Sequence, residues 1–346
     1  MVSGYEFKQK VRQTLQGRTN LYAPLEVASY NAEPSPTQAP YRPDALLTLR
    51  WQGKEVSFVA EVKSRTAPKM VQQAIWQLKN YVKDGRESLL ILPYLSKSVA
   101  EMCTEERLSC IDLNGNYLIQ TREILAIRLD KPNAFKESQP IKKIFSGNSS
   151  IVGRLLLRER KTFFSLNEVY RAIEELGGRL SLSAISKILK RLEEELIVDK
   201  SSDQITLLQP EKLLECLRTE YRAPKLLETQ RLKVPLPVIS FLRNSVDSSK
   251  WTLTGESSAE RYSATTQTNI LSAYVTDLRN WPQFEEERFY NLCLKKTVDS
   301  FVYFDAAKES ERWASKIQSY LELSQLDKRE KEIAQDLKMG ILKGFK

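Results

Sequence analysis

Asp44, Glu61 and Lys63 are the residue types whose spacing best suits chemistry in this chain. They stand in the string YRPDALLTLRWQGKEVSFVAEVKSRTAPKMVQQAIWQLKNY. There Pro43-Asp44 precedes an apolar run, Gly53 marks a turn, and the next apolar run ends in Glu61-Val62-Lys63. Side chains of a hairpin alternate between faces, so Glu61 and Lys63 share one face and Asp44 approaches from the neighbouring strand. Two carboxylates placed this way can hold Mg²⁺ or Mn²⁺, with water in the remaining positions. A lysine beside them can orient or deprotonate an attacking water and offset charge on a phosphate. Phosphodiester hydrolysis is the chemistry such a set serves. The plain alternative is a pair of surface strands with ordinary charges. After Lys63, a helix carries Gln73, Gln77 and Tyr81, and the four-residue spacing stacks Gln77 and Tyr81 on one face.

The elements that must position these groups read as α/β. A starting helix spans Glu6–Gln16, and strand-like runs follow at Ala45–Trp51, Val56–Val62, Ser88–Leu92 and Leu125–Leu129. Between the last two, CIDLNGNYLI (Cys110–Ile119) reads as a hairpin with an Asn-Gly turn. Its role reads as structural, with metal binding by Asp112 as the lesser alternative. The order helix, Pro-Asp strand, Glu-x-Lys strand, Gln-x-x-x-Tyr helix resembles the PD-(D/E)xK superfamily of restriction-endonuclease-like nucleases. Its Gln77-Leu-Lys-Asn-Tyr81 helix is similar to the RecB-like branch. The resemblance implies that Asp44 and Glu61 are metal ligands, that the Val62 carbonyl is a further ligand, and that Lys63 is the catalytic lysine. It also implies that Gln77 and Tyr81 lie near the DNA or the active site, and it offers Glu6 as an acidic contribution from the first helix.

Composition narrows the classes. The 346 residues suit two or three domains, and no apolar run approaches the roughly 20 residues of a membrane span. The N-terminus MVSGYEFKQK lacks the order of a signal peptide, so a cytoplasmic protein with no membrane partner is expected. Four scattered cysteines (Cys103, Cys110, Cys216, Cys293) suggest small core residues, neither a zinc knuckle nor a disulfide framework. There is no histidine, which excludes Ser-His-Asp and Cys-His nucleophiles and His-ligated metals.

The net charge is +9, and residues 131–190 carry +7 of it. So concentrated an excess attracts polyanions, with nucleic acid as the leading partner, an anionic membrane surface behind it, and a merely soluble basic protein as the bland alternative. Asp130–Ser150 is polar, holds two prolines and a glycine, and reads as a basic linker, residues 131–150.

Residues 151–222 follow the order of a winged helix. Ser165-x-x-Glu168 is a capping box, and Gly177-Gly178 ends the helix it starts. The next helix, Leu182 to Glu195, has an apolar stripe of Ile185, Ile188, Leu189 and Leu192. Its other face offers Ser183, Ser186, Lys187 and Lys190 to a DNA groove and its phosphates. Wing strands are expected at Leu196–Asp199 and Gln204–Leu208, with Lys200 and Ser201 at the tip. Lys142, Lys143, Arg154, Arg158, Arg160 and Lys161 add charge just upstream. Winged helices also serve as protein–protein modules, and the local charge favours DNA.

Residues 223–346 read only as a C-terminal α/β domain. A helix is expected to open at Trp251–Glu256 and run through Tyr262, strands at Asn269–Val275 and Ser300–Phe304, and helices at Ile317–Leu323 and Asp327–Leu342. Gln318 and Tyr320 read as helix-packing residues. The strings WTLTGESSAE and IQSYLELSQLDKREKEIAQDL resemble the AbiEi-like antitoxin side of type IV toxin–antitoxin systems, whose members pair a winged helix with such a domain and repress their own operon. The chain departs from that pattern by carrying a nuclease-like domain, residues 1–130, in front.

Two functions follow as expectations. One is a Mg²⁺-dependent endonuclease directed to double-stranded DNA by the winged helix. The other is a non-catalytic DNA-binding regulator of antitoxin type, or an adaptor with protein partners in a defence, toxin–antitoxin or mobile-element system. Cutting both strands calls for two active sites, with which a homodimer is compatible, though the sequence itself is silent on oligomeric state.

Overall fold

A computed structural model divides the chain into two compact units, Met1–Pro140 and Ile141–Lys346. It describes residues 4–17, 20–32, 42–81, 85–134, 144–200, 204–244, 251–262, 269–278, 289–306, 312–327 and 329–345. The whole is mixed α/β.

The first unit runs α1 (Gly4–Gly17), β1 (Glu26–Ala32), β2 (Ala45–Trp51), β3 (Lys54–Val62), α2 (Pro68–Tyr81), β4 (Glu87–Leu92), α3 (Lys97–Glu105), β5 (Ser109–Asp112), β6 (Tyr117–Gln120) and β7 (Leu125–Arg128). The strands form one seven-stranded sheet in sequence order. β3, β4 and β5 are parallel, joined by α2 and α3, and the flanking pairs are antiparallel. The β2–β3 turn is Gln52-Gly53 with both φ angles positive, the two-residue hairpin turn that glycine favours.

Period-two burial separates the faces. Ala45, Leu47 and Leu49 of β2, with Phe58, Ala60 and Val62 of β3, pack with Phe7, Val11 and Leu15 of α1. On the other face, Leu90, Leu92, Cys110 and Leu118 pack with Val71, Ala74, Ile75 and Leu78 of α2 and with α3. With apolar residues on both its faces, β3 ends in the continuous buried run 58–62 expected of a parallel strand covered by helices.

The second unit runs α4 (Ser150–Glu159), α5 (Leu166–Glu175), α6 (Leu182–Glu194), β8 (Val198–Lys200), β9 (Ile205–Leu207), α7 (Pro210–Thr219), β10 (Glu228–Leu232), α8 (Val238–Asn244), β11 (Trp251–Leu253), α9 (Glu256–Ala259), β12 (Leu271–Val275), β13 (Leu292–Lys296), α10 (Lys316–Leu323) and α11 (Arg329–Leu342). The pair β8–β9 is a hairpin, and Phe163 bridges to Ile205 to extend it. A four-stranded sheet has the order β10-β13-β12-β11. One apolar core runs from Ile144 to Ile341 and includes α4, α5, α6, α7, α10 and α11.

Two expectations for residues 223–346 are corrected. Trp251–Leu253 is a strand, not the start of a helix: all three residues are buried and pair with Val275–Ala273, and the helix begins only at Glu256. Ser300–Tyr303 is a 3₁₀ turn, not a strand: among the described residues it pairs with none of the strands, and it turns so that Phe301 and Val302 are both buried.

Candidate functional site

The β2–β3 register pairs Ala45 with Ala60, so the next residues along, Asp44 and Glu61, come side by side. The Asp44 amide donates to the Ala60 carbonyl at 3.0 Å, and Asp44 Oδ2 accepts from the Val62 amide at 2.8 Å. Lys63 continues β3 by donating its amide to the Ile91 carbonyl at 3.0 Å. Its Nζ donates to Glu61 Oε1 at 2.7 Å and to Gln77 Oε1 of α2, also at 2.7 Å. Asp44, Glu61, Lys63 and Gln77 are thus brought together. Tyr81 instead donates its hydroxyl to the Arg42 carbonyl at 2.8 Å, which anchors the segment leading into Asp44.

Two residues that sequence reasoning missed belong to this place. Lys8 of α1 forms an ion pair with Asp44 Oδ1, where an acidic residue from that helix had been anticipated. Glu6 is exposed. Trp76, 56% exposed, lines with Lys63, Gln73 and Gln77 a cleft of about 250 Å³. Its signal was readable in hindsight: Trp76 lies three residues beyond Gln73 on the same helix.

Electrostatically the cluster pairs two carboxylates with two ammonium groups, Asp44 with Lys8 and Glu61 with Lys63. Glu61 is 5% exposed, and its Oε2 is buried without a hydrogen-bond partner. Burial pushes its carboxyl pKa up; the bond from Lys63 opposes this, and the neighbouring Asp44 charge adds to the rise. Tyr30 of β1 is pushed up to about 12 by burial and the Asp44 charge, with the Arg12 cation opposing.

Hard oxygen donors are present for Mg²⁺ or Mn²⁺: Asp44, the unpartnered Glu61 Oε2, and the Val62 carbonyl. That carbonyl leaves the strand on the same side as the Val62 amide, toward Asp44, because the Lys63 amide points the other way to β4. Among the described residues no group of three or more His, Cys, Asp or Glu side chains could hold a metal, so a cation here would rest on two carboxylates, backbone oxygen and water. Asp112 is fully buried and has no capacity to spare. Its carboxylate accepts from the amides of Leu95, Asn114 and Asn116 and from the side chains of Asn114 and Asn116.

In the second unit, Ser165 caps α5 by accepting from the Glu168 amide, and Glu168 reaches back to the Phe164 amide, one residue beyond the expected partner. Ser181 caps α6. The stripe Ile185, Ile188, Leu189 and Leu192 is buried, while Ser183, Lys187 and Lys190 are exposed and Ser186 is half-buried. Arg179, also exposed, precedes the α6 cap by two residues. Lys200 is half-buried on β8. Lys142, Lys143 and Ser201 lie outside the described residues.

Of the upstream basic residues Arg154 is buried, while Arg158, Arg160 and Lys161 are exposed and each already has a partner within the protein. Arg154 is fully buried, donates to Gln318 Oε1 at 2.6 Å and the Phe301 carbonyl at 3.2 Å, and is lowered to about 10 by burial. Arg158 pairs with Asp305 at 2.5 Å and with Glu159. Arg160 donates to the Lys343 carbonyl at 2.6 Å and the Ile341 carbonyl at 3.1 Å, at the end of α11. Lys161 pairs with Glu168 at 2.9 Å. Sequence spacing alone does not separate a basic run that faces solvent from one that braces the fold.

Gln318 passes its amide on to Glu322 Oε1 at 2.6 Å, and Glu322 Oε2 accepts from Thr254 and, at 2.7 Å, from the Gly255 amide. The two strings WTLTGESSAE and IQSYLELS therefore meet in one polar network. No family model matches the chain, and no curated protein matches it significantly. Among the described residues, no helix is long and apolar enough to cross a membrane.

Proposed function

We propose that this chain is a double-stranded-DNA-binding protein with a metal-dependent endonuclease site of PD-(D/E)xK type at Asp44, Glu61 and Lys63, and with a winged helix in residues 151–222 that directs it to duplex DNA. The observation that carries the reading is the Lys63 ammonium held between Glu61 and Gln77, beside a buried Glu61 oxygen with no partner. An unsatisfied buried carboxylate oxygen is costly, and such a group calls for a ligand.

In this reading Asp44, Glu61 and the Val62 carbonyl hold Mg²⁺ or Mn²⁺, which when bound supplies Lewis acidity toward the scissile phosphate. Lys63 uses two of its three N–H bonds on Glu61 and Gln77, and the third can orient a water or a phosphate oxygen. Gln77 and Glu61 fix that ammonium, so its aim costs little reorganisation. Exposed Trp76 offers a face on which an unpaired base could stack. The Lys187 and Lys190 face of α6 holds phosphates, and its serines reach groove edges.

A specific observation favours a second reading. Both oxygens of Asp44 already have partners, Lys8 and the Val62 amide, as in a fold retired from catalysis. With the strings that resemble AbiEi-type antitoxins, this gives a non-catalytic DNA-binding regulator or an adaptor of a defence or mobile-element complex. Supercoiled plasmid incubated with Mg²⁺, Mn²⁺ or EDTA, using wild type beside Lys63→Ala, separates the two. Metal-dependent cutting that the variant lacks is the outcome expected of the enzyme. Intact plasmid that is nonetheless retarded on a gel would favour the DNA-binding regulator or adaptor, with a retired or partner-activated nuclease fold.

A further inference from the structure

Asp44 has its two oxygens held by partners of different kinds. Its Oδ2 is bound by the Val62 amide, which belongs to a strand and cannot leave. Its Oδ1 is held by Lys8, whose side chain is 47% exposed on a flexible four-carbon stem. The backbone under Lys8 is fixed, since Phe7, Val11 and Leu15 of α1 are buried against the sheet. The ammonium is thus the movable partner of an otherwise rigid group.

Charge balance gives that mobility a purpose. With Lys8 and Lys63 in place, Asp44 and Glu61 are neutralised, and a divalent cation would raise the set to a net charge of about +2 at close range. A hard cation also competes directly for Asp44 Oδ1, because the other Asp44 oxygen is taken. One turn along α1 from Lys8 stands the exposed Arg12, whose charge reaches Tyr30, a second cation on that edge of the helix. A DNA phosphate at that edge would attract Lys8 and release the carboxylate it covers.

We propose that Lys8 is a built-in counter-cation that competes with the divalent metal for Asp44, so that the site takes up metal fully only when a nucleic-acid phosphate draws the Lys8 ammonium away. The inference rests on the metal-nuclease reading and adds coupling between DNA contact and metal uptake.

Mn²⁺ binding to the full chain, followed by the electron paramagnetic resonance signal of free Mn²⁺, tests it without reference to cleavage. Wild type, Lys8→Met, Lys8→Gln, Asp44→Asn and the Lys8→Met/Asp44→Asn double variant are compared, with circular dichroism to verify folding. The two Lys8 replacements guard against one that misfolds. Lys8→Met and Lys8→Gln should bind Mn²⁺ about tenfold more tightly than wild type, the estimate being discounted for the exposure of the pair. The double variant should lose that gain. A phosphorothioate duplex should tighten Mn²⁺ binding to wild type and leave Lys8→Met nearly unchanged. Equal affinity of wild type and both Lys8 variants would overturn the role of Lys8 while leaving the metal site standing. No Mn²⁺ binding by any variant would overturn the metal reading and this inference together.

Discussion

Lys63 donates to Glu61 at 2.7 Å from the same face of β3, two residues along. The pair follows from strand alternation, and Gln77 completes it from α2. On the nuclease reading, replacing Lys63 by Ala removes the group proposed to orient a water or phosphate and leaves Asp44, Glu61 and the Val62 carbonyl in place. Cleavage should fall by about 10²–10⁴-fold. Duplex affinity should stay within about twofold, because the phosphate contacts assigned to α6 are untouched. Parallel loss of cutting and binding would count against a dedicated catalytic lysine.

Glu61 makes a prediction about pH. Its folded-state carboxyl pKa is raised, chiefly by burial, so the folded protein binds a proton more tightly there than the unfolded chain does. The stability this contributes is fully present below the ordinary carboxyl pKa and is lost as pH rises through the folded value. Glu61→Gln carries no ionisable group and escapes that loss. Its Tm should therefore equal or exceed that of wild type at pH 7 to 8, with the difference closing as pH falls into the ordinary carboxyl range, while cleavage is abolished. Calorimetry across pH checks this, and a Tm deficit that widens at high pH would contradict it.

What was legible in the sequence was what depends on local periodicity. Glu61 and Lys63 share a face because strands have period two, and Gln77 can be placed because the helix after Lys63 has a clear apolar stripe. Lys8 could not be found this way, since its partner Asp44 is 36 residues away and only the packing of α1 on the sheet brings them together. Strand β1, EVASYNA, was missed for a related reason. None of its residues is fully buried, only Val27 and Tyr30 packing partly against the core, so the hydrophobic pattern is too weak to mark it, and its pairing with β2 is what makes it a strand. Trp251–Leu253 looked like the approach to a helix until burial and β12 made it a strand. The charge excess of 131–190 was real, but its count could not reveal that Arg154 is fully buried.

With Arg154 buried and Arg158 and Arg160 already paired within the protein, α6 is the element to test for the proposed DNA contact. Lys187 and Lys190 are exposed on its solvent face. If each neutralises one phosphate, Lys187→Ala with Lys190→Ala should reduce the slope of log affinity against log salt by about 1.8, from roughly 0.9 per contact. Fluorescence anisotropy with a labelled duplex over a range of salt concentrations measures it. An unchanged slope would remove α6 from the interface.

Arg160 distinguishes bracing from binding. It sits in the left-handed region with φ of 53°, where a residue with a Cβ is strained, and its guanidinium holds the carbonyls of Ile341 and Lys343. Arg160→Ala loses those hydrogen bonds and keeps the strain, whereas Arg160→Gly loses the same bonds and relieves it. Both variants should be less stable than wild type, and the alanine variant should be the lower of the two by about 1 kcal/mol. Neither should alter the salt dependence of duplex binding, because the guanidinium is already engaged by the carbonyls at the end of α11. Urea melts rank the three proteins, and anisotropy on the same samples reads the slope. A slope that falls by about 0.9 in both variants would return Arg160 to the DNA contact, whatever the melts show.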